Sequence, residues 1–374
     1  LLLKPGIFVL TLFTNMYKFL APVFLFLAIS SSAQVKYSNE FLNIGVGARA
    51  LGMGNANVAS VEDVTAGYWN PAGLLKQKND LEVGLMHSEY FAGIAKYDYM
   101  GISKRIDTNS VAAFSILRFG VDNIPNTLDL KDANGNIDYN RITSFNAVDF
   151  AALLSYARKI PQLKGIEVGG NFKVIRRTLG DLAQAWGFGI DAGAMYNYKN
   201  WKFAAMGRDI TGTFNAWSYN LNEKQIATFI QTGNEIPSSS LEITVPKLIL
   251  GAARTYLLWK NQISVLGEIN LINTFDGKRN TVIKTNLWSM EPAFGAEIGY
   301  KGYVYLRGGL GNIQKQLNDN ATKFITTVQP NFGVGVRYKV FTLDYALTDI
   351  GDRSTALYSN VFSLKIAINK KTPK

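Results

Sequence analysis

The sequence predicts an all-β fold: a transmembrane antiparallel β-barrel of about 14 strands. Three observations predict it. Segments of about ten residues alternate between apolar side chains and glycine, small or charged ones, which is the period of a strand. Ordinary strands hold five or six residues, whereas about ten tilted residues cross a bilayer. The connections between the segments sort by length, long after odd-numbered strands and short after even-numbered ones, as expected of extracellular loops and periplasmic turns.

The chain opens with a leader. Met16-Tyr17-Lys18 forms a basic start, Phe19 to Ile29 an apolar run, and Ser31-Ser32-Ala33 the small residues that a signal peptidase needs. Residues 1–33 therefore read as a secretory signal peptide, with 1–15 lying upstream of the true start. An N-terminal anchor is the alternative, but the apolar run is short for a spanning helix.

Residues 34–78 differ in kind. They hold Gly45, Gly47, Gly52 and Gly54 among small apolar residues, then Tyr68-Trp69-Asn70-Pro71-Ala72-Gly73-Leu74. No Gly-Lys-Ser/Thr follows the glycines and no βαβ unit surrounds them, so a phosphate loop is excluded. Such density of small residues suits a compact segment packed closely inside something larger. Proline after Asn70 pushes that residue into an extended conformation. Asn70, Pro71, Ala72 and Gly73 read either as a helix or turn terminus or as the organiser of this segment, near a hydrophobic ligand.

Residues 79–374 supply the barrel. Fourteen candidate strands fall at about 81–90, 96–106, 110–119, 145–157, 166–177, 186–198, 201–209, 247–256, 263–271, 291–299, 304–310, 331–340, 341–347 and 360–368. The clearest run is 331–340, where Phe332, Val334, Val336, Tyr338 and Val340 oppose Gly333, Gly335, Arg337 and Lys339. A soluble sandwich would carry Lys, Glu and Thr on its outer face rather than glycine. An apolar outer face over a small or polar inner one is the pattern of an outer-membrane barrel.

The 374 residues contain no cysteine and one histidine, which excludes disulfide scaffolds, zinc clusters and thiol chemistry. A hydrolase triad has only His87 to use, and the adjacent Ser88 faces the other side of the sheet. The alternation through Leu81, Val83, Leu85 and His87 slips at Tyr90, which leaves the face of His87 open. No enzyme, cofactor or metal is expected. The net charge of +11 does not imply nucleic acid, because an exported chain does not meet it. Lipopolysaccharide or other outer-membrane lipid is the natural anionic partner. Lys104, Arg105, Arg158, Lys199, Lys260, Lys301 and Lys339 gather at the short turns. They form either a solvated rim or a ring for anionic head groups or an acidic periplasmic partner. The inward carboxylates Asp191 and Glu297 are expected to pair with inward bases such as Arg337.

The block Gly47-Ala48-Arg49-Ala50-Leu51-Gly52-Met53-Gly54, followed by Tyr68 to Leu74, resembles the start of mature FadL-superfamily barrels, and most closely the PorV/PorQ family of the Bacteroidota. Gly333 to Tyr338 with Phe341 to Asp352 resembles the end of that family. The resemblance implies a FadL-like barrel of fourteen strands with a role in type IX secretion. It also implies that the N-terminal segment, residues 34–78, folds back as a lumen plug, organised by Asn70, Pro71, Ala72 and Gly73. Its implied partners are a SprA-type translocon barrel, secreted cargo with a C-terminal signal domain, and a PorU-type sortase. The chain departs from the pattern of many barrels in running past its last strand into Asn369 to Lys374, without a terminal aromatic.

The long connections offer the binding surface. The 210–246 connection carries Phe214, Trp217, Tyr219, Phe229 and Ile230, more apolar bulk than a solvated loop needs, and reads as a partner interface or ligand mouth. Asp122, Asp129, Asp132 and Asp138 in 120–144 lack the spacing of a calcium loop. The sequence thus reads first as a secretion component binding translocon and cargo through its loops. The alternative is a FadL-like transporter of long-chain fatty acids or other hydrophobic molecules.

Overall fold

The computed structural model describes residues 38–130, 135–162, 165–317, 323–348, 350 and 358–369. The expected leader at 1–33, Asp132 and the terminal tail from Lys370 lie outside the described residues.

Alternating side chains and antiparallel pairing build one closed wall. Strands β1 (Leu81–Tyr90), β2 (Ala95–Arg105), β3 (Ser110–Asn126), β4 (Thr143–Lys159), β5 (Ile166–Leu179), β6 (Ala183–Tyr198) and β7 (Trp201–Arg208) pair each with the next. Above β7, the hairpin of β8 (Thr213–Tyr219) and β9 (Ser240–Thr244) continues the wall, β8 running on against β6. β10 (Lys247–Leu258) returns beside β7, and β11 (Ile263–Thr274) follows. The two-residue β12 (Ile283–Lys284) lies on β13 (Ser289–Tyr300), which pairs with both β11 and β14 (Val304–Leu317). β15 (Phe324–Tyr338), β16 (Phe341–Thr348) and β17 (Ser359–Ile368) complete the circuit, and Leu81 opposite Ile368 closes it. With β8 and β9 counted as extensions of β7 and β10, and β12 as a flap, the barrel is closed and has 14 strands.

All fourteen expected strands lie on this ring, but their ends move. β3 and β4 run on past the bulge between Val121 and Ile124, and β14 and β15 past the one between Gly311 and Gln314. The loops expected at 120–144 and 311–330 are therefore shorter. Backbone pairing continues above the membrane, where the apolar alternation that marks a spanning strand has ended. At the other end Tyr338 closes β15, and Lys339-Val340 form a turn instead of extending the strand.

The 210–246 connection requires a larger correction. It is not a loop throughout: Phe214, Trp217 and Tyr219 lie on β8, and Phe229 and Ile230 on the helix Glu223–Gln231. Asn222 and Gln225 form a reciprocal capping box at that helix start. Phe214 points outward with its ring tilted against that of Phe188, while Trp217 sits beneath the Arg177 guanidinium at 5.1 Å.

Outward positions such as Phe332, Val334 and Val336 remain exposed to the surroundings, while the apolar core lies inside the ring. Its most deeply buried members include Met53, Val58, Val61 and Leu74, all from the N-terminal segment. No described helix is long and apolar enough to cross a membrane; the strands cross it.

Candidate functional site: the plugged lumen and its cavity

Residues 38–77 fold into short turns inside the wall: a 3-10 turn Glu40–Asn43, the helices Ala48–Gly52 and Ala66–Trp69, and a 3-10 turn Pro71–Lys76. None is long enough to be stable alone. The wall holds them through buried polar contacts. Arg49 donates to Glu297 from Nε (2.9 Å) and Nη2 (3.2 Å), and Glu297 also accepts from Arg307, which in turn pairs with Asp344. Glu268 accepts the backbone N–H groups of Ala59 and Ser60 at 2.7 and 3.1 Å. Glu82 accepts Val64 N–H, and the Lys365 ammonium lies 2.8 Å from Asp63. Burial opposes ionisation of Asp63, yet Lys365 and the Thr65 hydroxyl hold its carboxyl well below the usual carboxylate range.

The glycines of the inner face now have a cause. A Cβ at Gly309 would run into the Met53–Gly54 backbone, and one at Gly193 into the Asn70 side chain. The plug backbone therefore rests directly on the wall backbone.

Asn70 is fully buried in extended conformation. Its side-chain oxygen accepts Ala72 N–H at 3.2 Å, and its amide donates to Ala194 of β6 at 3.3 Å. Pro71 lies against Gly169, and a Cβ at Gly73 would meet Val61. The four motif residues are brought together as a packing element.

A second latch sits where β7 breaks into β8. Asp209 has φ 55°, and the interruption turns its carboxylate inward. Lys173 Nζ lies 2.7 Å from Asp191 and 2.5 Å from Asp209. Opposite the break stands Pro246, which has no N–H to leave unpaired. Arg208 donates to the carbonyls of Leu42 and Tyr68, with its guanidinium 4.3 Å from the Tyr68 ring centre.

Above the plug lies a cavity of about 760 Å³. Phe41, Ile44, Leu51 and Trp69 contribute from the plug, and Phe119, Ile249 and Ile272 from the wall. Its polar lining includes Arg177, Arg208, Lys247, Arg279 and Glu291. Arg177 is paired with Asp149, and Arg279 with Asp276, whereas Lys247 forms no ion pair among the described residues. None of Asn70, Pro71, Ala72, Gly73, Phe214, Trp217, Tyr219, Phe229 and Ile230 lines this cavity.

Several expected pairings change. Asp191 and Glu297 do face inward, but their partners are Lys173 and the Arg49–Arg307 pair; Arg337 instead hydrogen-bonds Thr342 near the turn. The β1 alternation does not slip at Tyr90: Met86, Ser88 and Tyr90 are buried, and His87 points outward, 2.7 Å from Asp98. Asp122, Asp129 and Asp138 sit with Lys96, Lys224 and Arg141. Sequence reading missed Lys173, Glu268, Lys365 and Lys247. The available signal was a full charge at an inward position of a membrane strand, where charge is expensive unless matched.

No family model matches the chain, and no curated relative matches it. Solved structures are similar in fold. The monoaromatic hydrocarbon channel CymD aligns with TM-score 0.52 and 12% identity over 87% of this chain and 98% of its own. The toluene transporter TbuX of Ralstonia pickettii gives 0.51 and 14%, over 87% and 99%. The toluene transporter TodX of Pseudomonas putida gives 0.50 and 13%, over 86% and 96%. At such identities the likeness is one of architecture. The protein is an integral outer-membrane barrel of FadL-like fold, with 14 strands around an N-terminal plug.

Proposed function

We propose that the protein is a channel for small hydrophobic or amphipathic molecules, which it takes from the extracellular side into the cavity above its plug. The cavity carries this reading: about 760 Å³, lined by Phe41, Leu51, Trp69, Phe119 and Ile272 with a few charged groups, is the size and chemistry of a site for one such ligand. The naming of the similar barrels as hydrocarbon and toluene channels supports it. The segment below the cavity is the gate in this reading. Long-chain fatty acids and aromatic hydrocarbons are the ligand classes to try first. The test is gentle-detergent purification from native outer membrane, with mass spectrometry of lipids and proteins together. A stoichiometric lipophile on a lone barrel supports the channel. An empty barrel that transfers no added lipophile across liposomes refutes it.

A second reading is protein binding at the cell surface within a type IX secretion machinery. It rests on the resemblance of Gly47 to Gly54 and Tyr68 to Leu74, and on apolar side chains displayed near the extracellular rim. Ile230, Leu241 and Leu287 are 65%, 57% and 82% exposed, more than a solvated rim requires. In this reading the SprA-type translocon, cargo with a C-terminal signal domain and the PorU-type sortase bind there, without catalysis by this chain. Their recovery in the same purification supports it.

A further inference from the structure

Four successive periplasmic turns share a composition that the channel reading leaves unused. The turns after β6, β10, β13 and β15 lie side by side along one arc of the rim. They read Tyr198-Lys199-Asn200-Trp201, Leu258-Trp259-Lys260-Asn261-Gln262, Tyr300-Lys301-Gly302-Tyr303 and Tyr338-Lys339-Val340-Phe341. Each has one lysine, at least one aromatic residue and no carboxylate.

The backbone shows that the lysines are not incidental. Lys199, Lys260, Lys301 and Lys339 have φ of 54°, 54°, 49° and 53°. Glycine or asparagine takes that conformation more readily. A charged side chain nevertheless occupies it at all four turns. All four are exposed, and none forms an ion pair among the described residues.

The neighbouring rings set the height of these charges. The ammonium groups of Lys199, Lys301 and Lys339 lie 5.3, 5.2 and 5.1 Å from the ring centres of Tyr198, Tyr300 and Tyr338. Those tyrosines are outward-facing and belong to the girdle that sits at the level of lipid head groups. Arg254 adds a fifth cation on the same outer face, between Trp201 at 5.0 Å and Tyr256 at 4.5 Å. The other short turns differ: the one after β2 carries Asp107, and the one after β4, residues 160–165, has no aromatic residue.

We propose that this arc is a binding surface for anionic phospholipid of the periplasmic leaflet. The lysines engage head-group phosphates, and the aromatic rings engage the glycerol and upper acyl region beneath them. A zwitterionic lipid carries its own ammonium and gains less from an arc without carboxylates. The arc therefore prefers lipids of net negative charge.

The test uses the full chain, folded in detergent and titrated with phosphatidylglycerol or phosphatidylethanolamine of matched acyl chains, with retained lipids counted by native mass spectrometry. The variant K199Q/K260Q/K301Q/K339Q is compared with K224Q/K278Q/K284Q/K323Q, which removes equal charge from the opposite end. Heat-modifiable gel mobility confirms that each barrel is folded. The wild type and the opposite-end variant are expected to favour phosphatidylglycerol. The turn variant is expected to lose that preference by about fivefold per lysine, and the wild-type preference should fall with salt. Equal preference in the turn variant and wild type overturns the assignment. So does a wild type that binds both lipids alike, or one that favours lipid A over phosphatidylglycerol through these same lysines. Should the four-lysine variant fail to fold, the Lys301→Gln and Lys339→Gln single variants read the same preference.

Discussion

Arg49 and Glu297, 248 residues apart in the chain, form a two-pronged ion pair between plug and wall. Glu297 is shared with Arg307, and Arg307 with Asp344, so one carboxylate in the plug's path ties three strands to it. A plug made of turns too short to fold alone owes its position to such contacts.

Arg49→Ala is expected to loosen the plug while leaving the barrel closed. Glu297 retains Arg307, so the loss is that of charge-assisted hydrogen bonds, about 2 kcal/mol. The check is single-channel conductance in planar bilayers, which should show openings absent from wild type. A silent variant with unchanged protease resistance of residues 38–77 argues against the latch.

The backbone contact between plug and wall predicts a contrast between neighbouring glycines. Gly309→Ala places a methyl onto the Met53 backbone, whereas a Cβ at Gly308 meets nothing within 4 Å. The first is expected to destabilise by about 1–3 kcal/mol and the second to be neutral. Midpoints of heat-modifiable mobility measure both, and equal midpoints contradict the packing described.

The Asp63–Lys365 pair fixes a pH window. The folded Asp63 carboxyl titrates below its unfolded value of about 3.9, so its stabilisation is complete above that range and is lost as pH falls through the folded value. The loss of plug-amide protection caused by Asp63→Asn, read by hydrogen exchange, should be constant from about pH 8 to 5. It should shrink only in stronger acid. Asp63→Asn is expected to lower protection at every pH in that window.

The cavity can be filled from the wall. Ile272 faces inward and lines it, and Ile272→Trp adds bulk where a ligand would lie. The expected result is at least tenfold weaker binding of a lipophilic fluorescent probe, with unchanged heat-modifiable folding. Undiminished binding places the ligand elsewhere. Phe214→Ala, on the outer face of β8, is the control expected to leave probe binding unchanged.

The barrel was largely legible in the sequence because its cause is local. A strand that faces lipid on one side and plug on the other repeats every two residues, and Trp186 to Tyr198 states that repeat without reference to any other segment. The number of strands followed, as did the membrane. The plug motif was visible as Asn70 to Gly73, but its contacts were not, since Asn70 meets Ala194 only after the ring has closed. The same holds for Phe214 and Trp217. Their hydrophobicity suited an interface, yet pairing of β8 with β6 turned one outward and the other beneath Arg177.

Alternation, glycine content and turn composition therefore determined the class of fold and where the charged turns lie. Tertiary structure alone decided which inward charges meet, where the strands outrun the membrane, and that a cavity remains above the plug. The physical reason is range: strand periodicity is set between adjacent residues, whereas Arg49 finds Glu297 and Lys173 finds Asp209 only through the register of a closed wall.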